Sequence, residues 1–184
     1  MSPEVARSRF QELFRSRAMQ FGQFTLASGR SSTYYLNSKK ILFHAESIAL
    51  LGQCLYDATH DLAPAAIGGL EVGAIPMATA AALAYHQAGR SIEGFFVRKQ
   101  AKAHGSQDRL EGLVKAGDTV VVIDDVLTTG ESVWQAIQVI EGVGAKVARV
   151  VCIVDRLEGA GQKLSGYDFR PLFTIRDFGI EPPA

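Results

Sequence analysis

The stretch TVVVID at 119–124 constrains the fold more than any other part of the sequence. Its four central residues, Val120–Ile123, are all branched and apolar, without the alternating polar positions of a half-exposed strand. Further strand candidates of apolar character occur at 65–69, 92–99 and 146–156. Strands that are buried on both faces and separated by helices are typical of a parallel sheet. We therefore predict a single α/β domain with a doubly wound, mostly parallel sheet flanked by helices.

Segments that favour helix lie between these strands. Apolar residues recur at helical spacing in 44–62 and in 131–144, and an alanine-rich helix is predicted to begin at Pro76. A helix from Pro3 to about Met19 is also predicted, because a serine that can cap it precedes the proline. Ligands bind beyond the carboxyl ends of the strands in such sheets. The chemistry is therefore expected just after residues 69, 99, 124 and 155.

Composition narrows the class of protein. The 184 residues include 19 basic and 19 acidic side chains, and this balance argues against a broad nucleic-acid surface. No apolar run approaches the roughly 20 residues that span a bilayer, and the first residues lack the apolar core of a signal peptide. We expect a cytoplasmic protein with no membrane partner, in which Cys54 and Cys152 are reduced core thiols.

Two adjacent carboxylates follow the apolar run and precede a small, hydroxyl-rich turn. Asp124 and Asp125 can accept hydrogen bonds from a sugar diol or stabilise a cationic transition state. Unpaired backbone N–H groups at the turn and at the start of the next helix suit a phosphate. Hydroxyl groups and a glycine support this interpretation, at Thr128, Thr129, Gly130 and Ser132. Together these features fit a ribose 5-phosphate.

Two other protein features can produce a stretch of this kind. In the first, Thr128 or Thr129 only caps the helix and Asp125 complements the helix dipole. In the second, the strand with two acids is the magnesium-binding strand of a P-loop NTPase. That class requires a G-x-x-x-x-G-K-[ST] loop, which the sequence lacks.

A cluster of basic residues lies in FFVRKQAKAHGSQDRLEG at 95–112. Arg98, Lys99, Lys102 and His104 occur within seven residues, with no acidic residue among them. Such a loop at a strand end can close over a polyanion, stabilise a leaving group that gains charge, and exclude water. The alternative is a solvated basic loop without a ligand.

These motifs together resemble one family. Residues 120–132 resemble the phosphoribosyl diphosphate signature of the type I phosphoribosyltransferases. The spacing R-K-x-x-K-x-H-G resembles the catalytic loop of the orotate phosphoribosyltransferases. FTLASGRSSTYYLNSKK at 24–40 is similar to their F-x-L-x-S-G-x-x-S-x-Y-Y stretch, and DRLEG at 155–159 matches their Asp-Arg at a strand end.

The resemblance implies a reaction and a role for each matching residue. The reaction transfers phosphoribosyl from phosphoribosyl diphosphate to N1 of orotate, giving orotidine 5-phosphate and diphosphate in pyrimidine synthesis. The implied catalytic residues are Lys102, Asp124 and Asp125. Phosphoribosyl diphosphate would contact Arg98, Lys99, Lys102, His104, Asp124, Asp125, Val126, Leu127, Thr128, Thr129, Gly130, Glu131 and Ser132. The diphosphate loop would be Glu71, Val72 and Gly73. Orotate would contact Tyr35, Leu36, Thr128 and Arg156.

The resemblance also implies partners. Magnesium should arrive bound to the diphosphate, held by substrate and water rather than by a protein cage. A homodimer is implied, with the basic loop reaching the neighbouring subunit. About 1–40 and the C-terminal segment would form a hood over the base within one domain, 1–184.

Two departures from the family leave the charge partners of the substrates open. Some members carry a lysine where this chain has Ala27, and some have a Tyr-Lys pair where it has Val72 and Gly73. The sequence leaves open whether Lys39 or Lys40 supplies the missing charge. Two rival functions remain: transfer to a purine or to uracil, and a non-catalytic regulator that senses phosphoribosyl diphosphate.

Overall fold

The computed structural model describes residues 1–25, 31–100 and 109–182. Its helices are α1 (Pro3–Leu13), α2 (Lys39–Leu42), α3 (Ala45–Thr59), α4 (Ala74–Gln87), α5 (Glu131–Gly142) and α6 (Ala160–Lys163). Its strands are β1 (Met19–Thr25), β2 (Ser31–Leu36), β3 (Ala66–Leu70), β4 (Glu93–Val97), β5 (Leu110–Gly112), β6 (Thr119–Leu127), β7 (Lys146–Asp155) and β8 (Phe169–Thr174). A π-helical turn, Phe14–Ala18, and two 3₁₀ turns, His60–Leu62 and Ile175–Phe178, complete the description.

A six-stranded sheet forms the centre of the fold, in the order β5-β4-β3-β6-β7-β8. All its pairings are parallel except that of β5 with β4, at one edge. The predicted α/β class with a doubly wound, mostly parallel sheet is confirmed.

The continuous apolar run in β6 is explained by the two cores that it separates. Val121 and Ile123 pack with residues of α1, α3 and α4 on one face of the sheet. Val120 and Val122 pack with α5 on the other face. Because successive side chains of a strand point to opposite faces, both sets must be apolar.

The N-terminal segment differs from the predicted single helix. The side chain of Ser2 accepts a hydrogen bond from Val5 N, but α1 ends at Leu13 and continues as the π-helical turn. Strands β1 and β2 then form an antiparallel hairpin that the sequence did not predict. The ring of Phe14 lies 5.3 Å from that of Phe178, so this segment packs against the C-terminal 3₁₀ turn.

Three further predictions concern the start of α4, the two cysteines and membrane-spanning segments. Helix α4 begins at Ala74, two residues before the predicted start at Pro76, because proline is tolerated in the first turn, where N–H groups lack helical partners. Cys54 and Cys152 are free and buried, as predicted. Within the described ranges, no helix is both long enough and apolar enough to cross a membrane.

Candidate active site

A cavity of about 260 Å³ opens where β3 and β6 end, on the side of the sheet where the sequence placed the chemistry. It is lined by Lys39, Leu70, Glu71, Val72, Gly73, Lys99, Asp124, Asp125, Val126 and Ser132. Six of the predicted site residues in this set come from two segments, 71–73 and 124–126. The structure therefore brings the predicted diphosphate loop, the acidic pair and one basic residue into one cavity.

The acidic pair lies within β6 rather than after it. The strand continues to Leu127, and Asp124 is in register with Cys152 of β7. Asp124 is only 6% exposed. Its carboxylate accepts hydrogen bonds from the hydroxyl of Ser132 at 2.5 Å and from Asp125 N at 2.9 Å. The bond from Ser132 fixes the first turn of α5 to the strand. Burial, reinforced by the negative charge of Asp125, raises the pKa of Asp124 to about 7.

Replacing Asp124 by asparagine is expected to stabilise the unliganded protein more at pH 8 than at pH 5. The pKa of this carboxyl is near 3.8 in the unfolded chain and about 7 in the folded protein, where burial disfavours the charged form. Wild-type stability should therefore fall as the pH rises from about 4 to about 7, by up to about 4 kcal/mol. Asparagine cannot ionise, so the variant should not lose this stability as the pH rises. Urea denaturation at pH 5 and pH 8 measures the free energy of unfolding of both proteins.

Glu181→Gln is the matched control, since it removes one exposed carboxylate near the C-terminus. A gain from Asp124→Asn that is equal at pH 5 and pH 8 would show that the buried carboxylate does not ionise as described.

Asp125 is held from three directions. One of its oxygens, Oδ1, accepts a hydrogen bond from Val126 N at 3.0 Å. The other, Oδ2, accepts a short hydrogen bond from Ser38, whose side chain is buried beside α2. Gly73 completes the enclosure, because a Cβ atom placed on it would lie 2.6 Å from the Asp125 Cγ. The carboxylate therefore has a fixed position at the wall of the cavity.

The segments after β3 and β4 are tied to each other. The carboxylate of Glu71 accepts a hydrogen bond from Lys99 N at 2.8 Å, and Glu71 N donates to the carbonyl of Val97. Lys99 lines the cavity, whereas Arg98 is directed to Glu111 of β5, with 3.5 Å between their nitrogen and oxygen atoms. Two other predicted basic residues, Lys102 and His104, lie outside the described residues.

The turn before α5 contradicts the interpretation that a threonine caps the helix. The capping position is Gly130, with φ +79°, and no side chain caps the helix there. Thr128 uses its carbonyl oxygen to accept a hydrogen bond from Ala160 N, and Thr129 is exposed. The hydroxyl groups of this turn are thus not used as a helix cap.

Two predicted phosphate-binding residues have side chains committed elsewhere. Leu127 is 1% exposed and packs in the core below α5, so only its main chain can face a ligand. The Glu131 carboxylate forms an ion pair with Lys163 of α6, and this pairing lowers the pKa of Glu131.

A second group of polar residues surrounds Arg156, just after β7. Its Nε lies 2.8 Å from the hydroxyl oxygen of Tyr34 and 2.8 Å from Oε1 of Glu158. The guanidinium also lies over the Tyr34 ring, 5.0 Å from the ring centroid. Tyr35 faces the opposite way and is exposed, with its ring 5.8 Å from that of Phe24, and Leu36 is half-buried. None of these residues lines the cavity of the acidic pair.

Most of the chain matches the model of a known family. Residues 35–178 match the model of the Phosphoribosyl transferase domain. The chain belongs to the phosphoribosyltransferase family. This confirms the resemblance seen in the sequence.

Relatives of this phosphoribosyltransferase cover nearly its whole length. It is 41% identical over 184 residues to a Bradyrhizobium sp. protein named orotate phosphoribosyltransferase, covering 97% of this chain and 100% of the relative. Among solved structures, the orotate phosphoribosyltransferase of Mycobacterium tuberculosis with Fe(III) dicitrate has a TM-score of 0.84 and 37% identity, covering 95% and 99% of the two chains. A structure of the Mycobacterium tuberculosis enzyme with phosphoribosyl diphosphate has a TM-score of 0.80 and 33% identity, with the same coverage.

Three residues at the sites of this phosphoribosyltransferase were not singled out as site residues by sequence reasoning: Tyr34, Ser38 and Glu158. Lys39 was named only as one of two candidates for the missing positive charge, and the structure places it at the cavity. Tyr34 and Ser38 lie within the motif at 24–40 and Glu158 within that at 155–159, so membership of these motifs was the available signal. Nothing in the sequence pairs Ser38 with Asp125, 87 positions away.

Proposed function

We propose that this phosphoribosyltransferase transfers the phosphoribosyl group from phosphoribosyl diphosphate to N1 of orotate, releasing diphosphate. The observation that carries the proposal is the shared cavity of the acidic pair, the loop 71–73 and Lys99 at the ends of β3 and β6. It is supported by the names of the relatives, orotate phosphoribosyltransferase, and by the Mycobacterium tuberculosis enzyme having been solved with phosphoribosyl diphosphate.

The acidic pair would act on the ribose. As the bond from C1 to the diphosphate breaks, positive charge develops on the sugar ring, and carboxylates held nearby stabilise that charge. Asp125 is held by Ser38 and Val126 N, so its carboxylate needs little reorganisation during the reaction. Main-chain N–H groups of the segment 126–132 would bind the 5-phosphate, together with the hydroxyls of Thr128 and Thr129. No covalent intermediate with the protein is required, because orotate itself is the nucleophile.

Arg156 would orient orotate. Within the described part of the chain, its side-chain hydrogen bond and ion pair both involve Nε, which leaves the edge formed by the two Nη groups for a planar carboxylate. Tyr35, Leu36 and Thr128 would lie against the base. The packing of Phe14 on Phe178 supports a hood made of the N-terminal and C-terminal segments within one domain.

The leaving diphosphate would be bound by Glu71–Gly73 and by basic residues of the loop that follows β4. Lys99 lines the cavity. Contacts of the diphosphate with Arg98, Lys102 and His104 stay predictions. Lys102 also stays the predicted catalytic residue of this loop. Three carboxylate-bearing residues line the cavity, and oxygen donors suit Mg²⁺ carried by the substrate. That ion would neutralise the diphosphate charge. A cytoplasmic location also stays a prediction.

A homodimer is the second part of the proposal. A groove of about 650 Å³ lies between α3 and α4, and its lining is mainly apolar. Phe43, Val72 and Leu83 in this groove are each more than half exposed, which is unusual for large apolar side chains grouped on one surface. Val72 belongs also to the diphosphate loop, so a second copy covering this groove would adjoin the active site. In such a dimer, the basic loop of one subunit would contact the active site of the other.

Turnover against a panel of bases tests the function. The purified protein with Mg²⁺ and phosphoribosyl diphosphate should convert orotate to orotidine 5-phosphate, and should leave adenine, guanine, xanthine and uracil unchanged. The same preparation should sediment as a dimer. Activity on another base but not on orotate would favour the first rival function. Binding of phosphoribosyl diphosphate without turnover of any base would favour the regulator.

A further inference from the structure

The cavity of the acidic pair is lined by more carboxyl groups than basic groups. Glu71, Asp124 and Asp125 line it, and within the described residues Lys39 and Lys99 are its only basic side chains. A diphosphate entering such a cavity requires cations that contact it directly, because neighbouring carboxylates repel it. Lys99 comes from the strand end of β4, where the sequence had already placed it. Lys39 comes from a different element, α2.

Position 73 cannot supply a cation in this geometry. The site of a Cβ atom on Gly73 lies 2.6 Å from the Asp125 Cγ and 2.8 Å from its Oδ1. A lysine there would displace the carboxylate that is proposed to hold the ribose. The charge beside the diphosphate loop must therefore come from another segment.

Lys39 is held at the cavity by the residues immediately before it. Ser38 is 4% exposed and donates a hydrogen bond to Asp125 Oδ2, which fixes this segment to the sheet edge. Asn37 N donates to the carbonyl of Ala18 at 2.8 Å, and Lys39 N donates to Asn37 Oδ1 at 3.2 Å. The main chain at Lys39 is thus positioned independently of a ligand.

Among the described residues, the ammonium group of Lys39 has no ion-pair partner. Three carboxyl groups nevertheless line the same cavity. Lys40, the next residue, is also exposed but does not line the cavity. Lys39 therefore lies at the cavity where an anion would bind, whereas Lys40 does not.

We propose that Lys39 binds the diphosphate group of phosphoribosyl diphosphate together with Lys99, and supplies the positive charge that Gly73 cannot. The proposal rests on the proposed function for the identity of the anion. Lys39 would then act on binding of phosphoribosyl diphosphate and diphosphate, and leave the binding of ribose 5-phosphate and orotate to other residues.

Lys39→Met tests this, with Lys40→Met as the matched control and Lys39→Arg as the conservative variant. Calorimetry should measure binding of diphosphate with Mg²⁺, and separately of ribose 5-phosphate, to each full-length variant. Lys39→Met should weaken diphosphate binding about tenfold, the loss expected for one partly solvated charge-assisted hydrogen bond. KM for phosphoribosyl diphosphate should rise by a similar factor. Binding of ribose 5-phosphate, KM for orotate and the melting temperature should stay unchanged, and Lys39→Arg should retain most of the affinity.

Three results would overturn the assignment: unchanged diphosphate binding in Lys39→Met, an equal loss in Lys40→Met, or a loss confined to ribose 5-phosphate. The binding measurements do not depend on the base. If the wild type failed to use orotate while Lys39→Met lost diphosphate affinity, the proposed function would fall and this inference would stand.

Discussion

Replacing Gly73 by alanine is expected to lower kcat/KM for phosphoribosyl diphosphate about 100-fold and to leave the fold intact. The added methyl group would lie 2.6 Å from the Asp125 Cγ, closer than two carbon atoms can approach, so the carboxylate must move. A displacement of about 1 Å at a group that orients the reacting sugar can cost about 100-fold in rate. Steady-state kinetics of orotidine 5-phosphate formation measures the effect.

The fold should tolerate this change because the backbone at Gly73 is helical, with φ −61° and ψ −38°. Alanine adopts that conformation readily, so the melting temperature should stay within a few degrees of the wild type. Gly142→Ala is the matched control, since a Cβ atom there meets only open space at the end of α5. Wild-type kinetics in Gly73→Ala would show that the position of Asp125 does not control the reaction.

The regular part of the fold was predictable because its signals are local. Strands β3, β6 and β7 are apolar on both faces, and α3 and α5 have apolar residues at helical spacing, so each pattern specifies its own element. The order of strands and helices then leaves few topologies other than a doubly wound sheet. The hairpin of β1 and β2 was missed because glycine and polar residues interrupt its alternation.

The candidate site was predictable only where its residues are neighbours in sequence. Asp124, Asp125 and Ser132 lie in one stretch, and their hydrogen bonds are local. The contact between Ser38 and Asp125 joins segments that nothing in either stretch connects. Tyr34 and Tyr35 are recognisable as two adjacent aromatic residues, but the sequence does not show which way each side chain points. Since a strand turns them to opposite faces, only Tyr34 reaches Arg156.

Arg156→Met is expected to reduce kcat/KM for orotate by about 10²–10³-fold and also to destabilise the protein. The loss of activity follows from removing the guanidinium that is proposed to bind the orotate carboxylate through two parallel hydrogen bonds. The loss of stability has a different cause. The Glu158 side chain is 7% exposed and would lose its ion pair with Arg156, which should lower the free energy of unfolding by about 2 kcal/mol. Binding of phosphoribosyl diphosphate should be unchanged, since Arg156 does not line the cavity of the acidic pair.

The double variant Arg156→Met/Glu158→Gln separates these two causes. Glutamine keeps the size of Glu158 without its charge, so most of the lost stability should return in urea denaturation. Activity on orotate should not return, because no cation remains to bind the substrate carboxylate. Tyr34→Phe controls for the other contact to Nε; it removes one hydroxyl and should raise KM for orotate only several-fold. If the double variant regained both stability and activity, the low activity of Arg156→Met would reflect misfolding, and Arg156 would not be the residue that binds orotate.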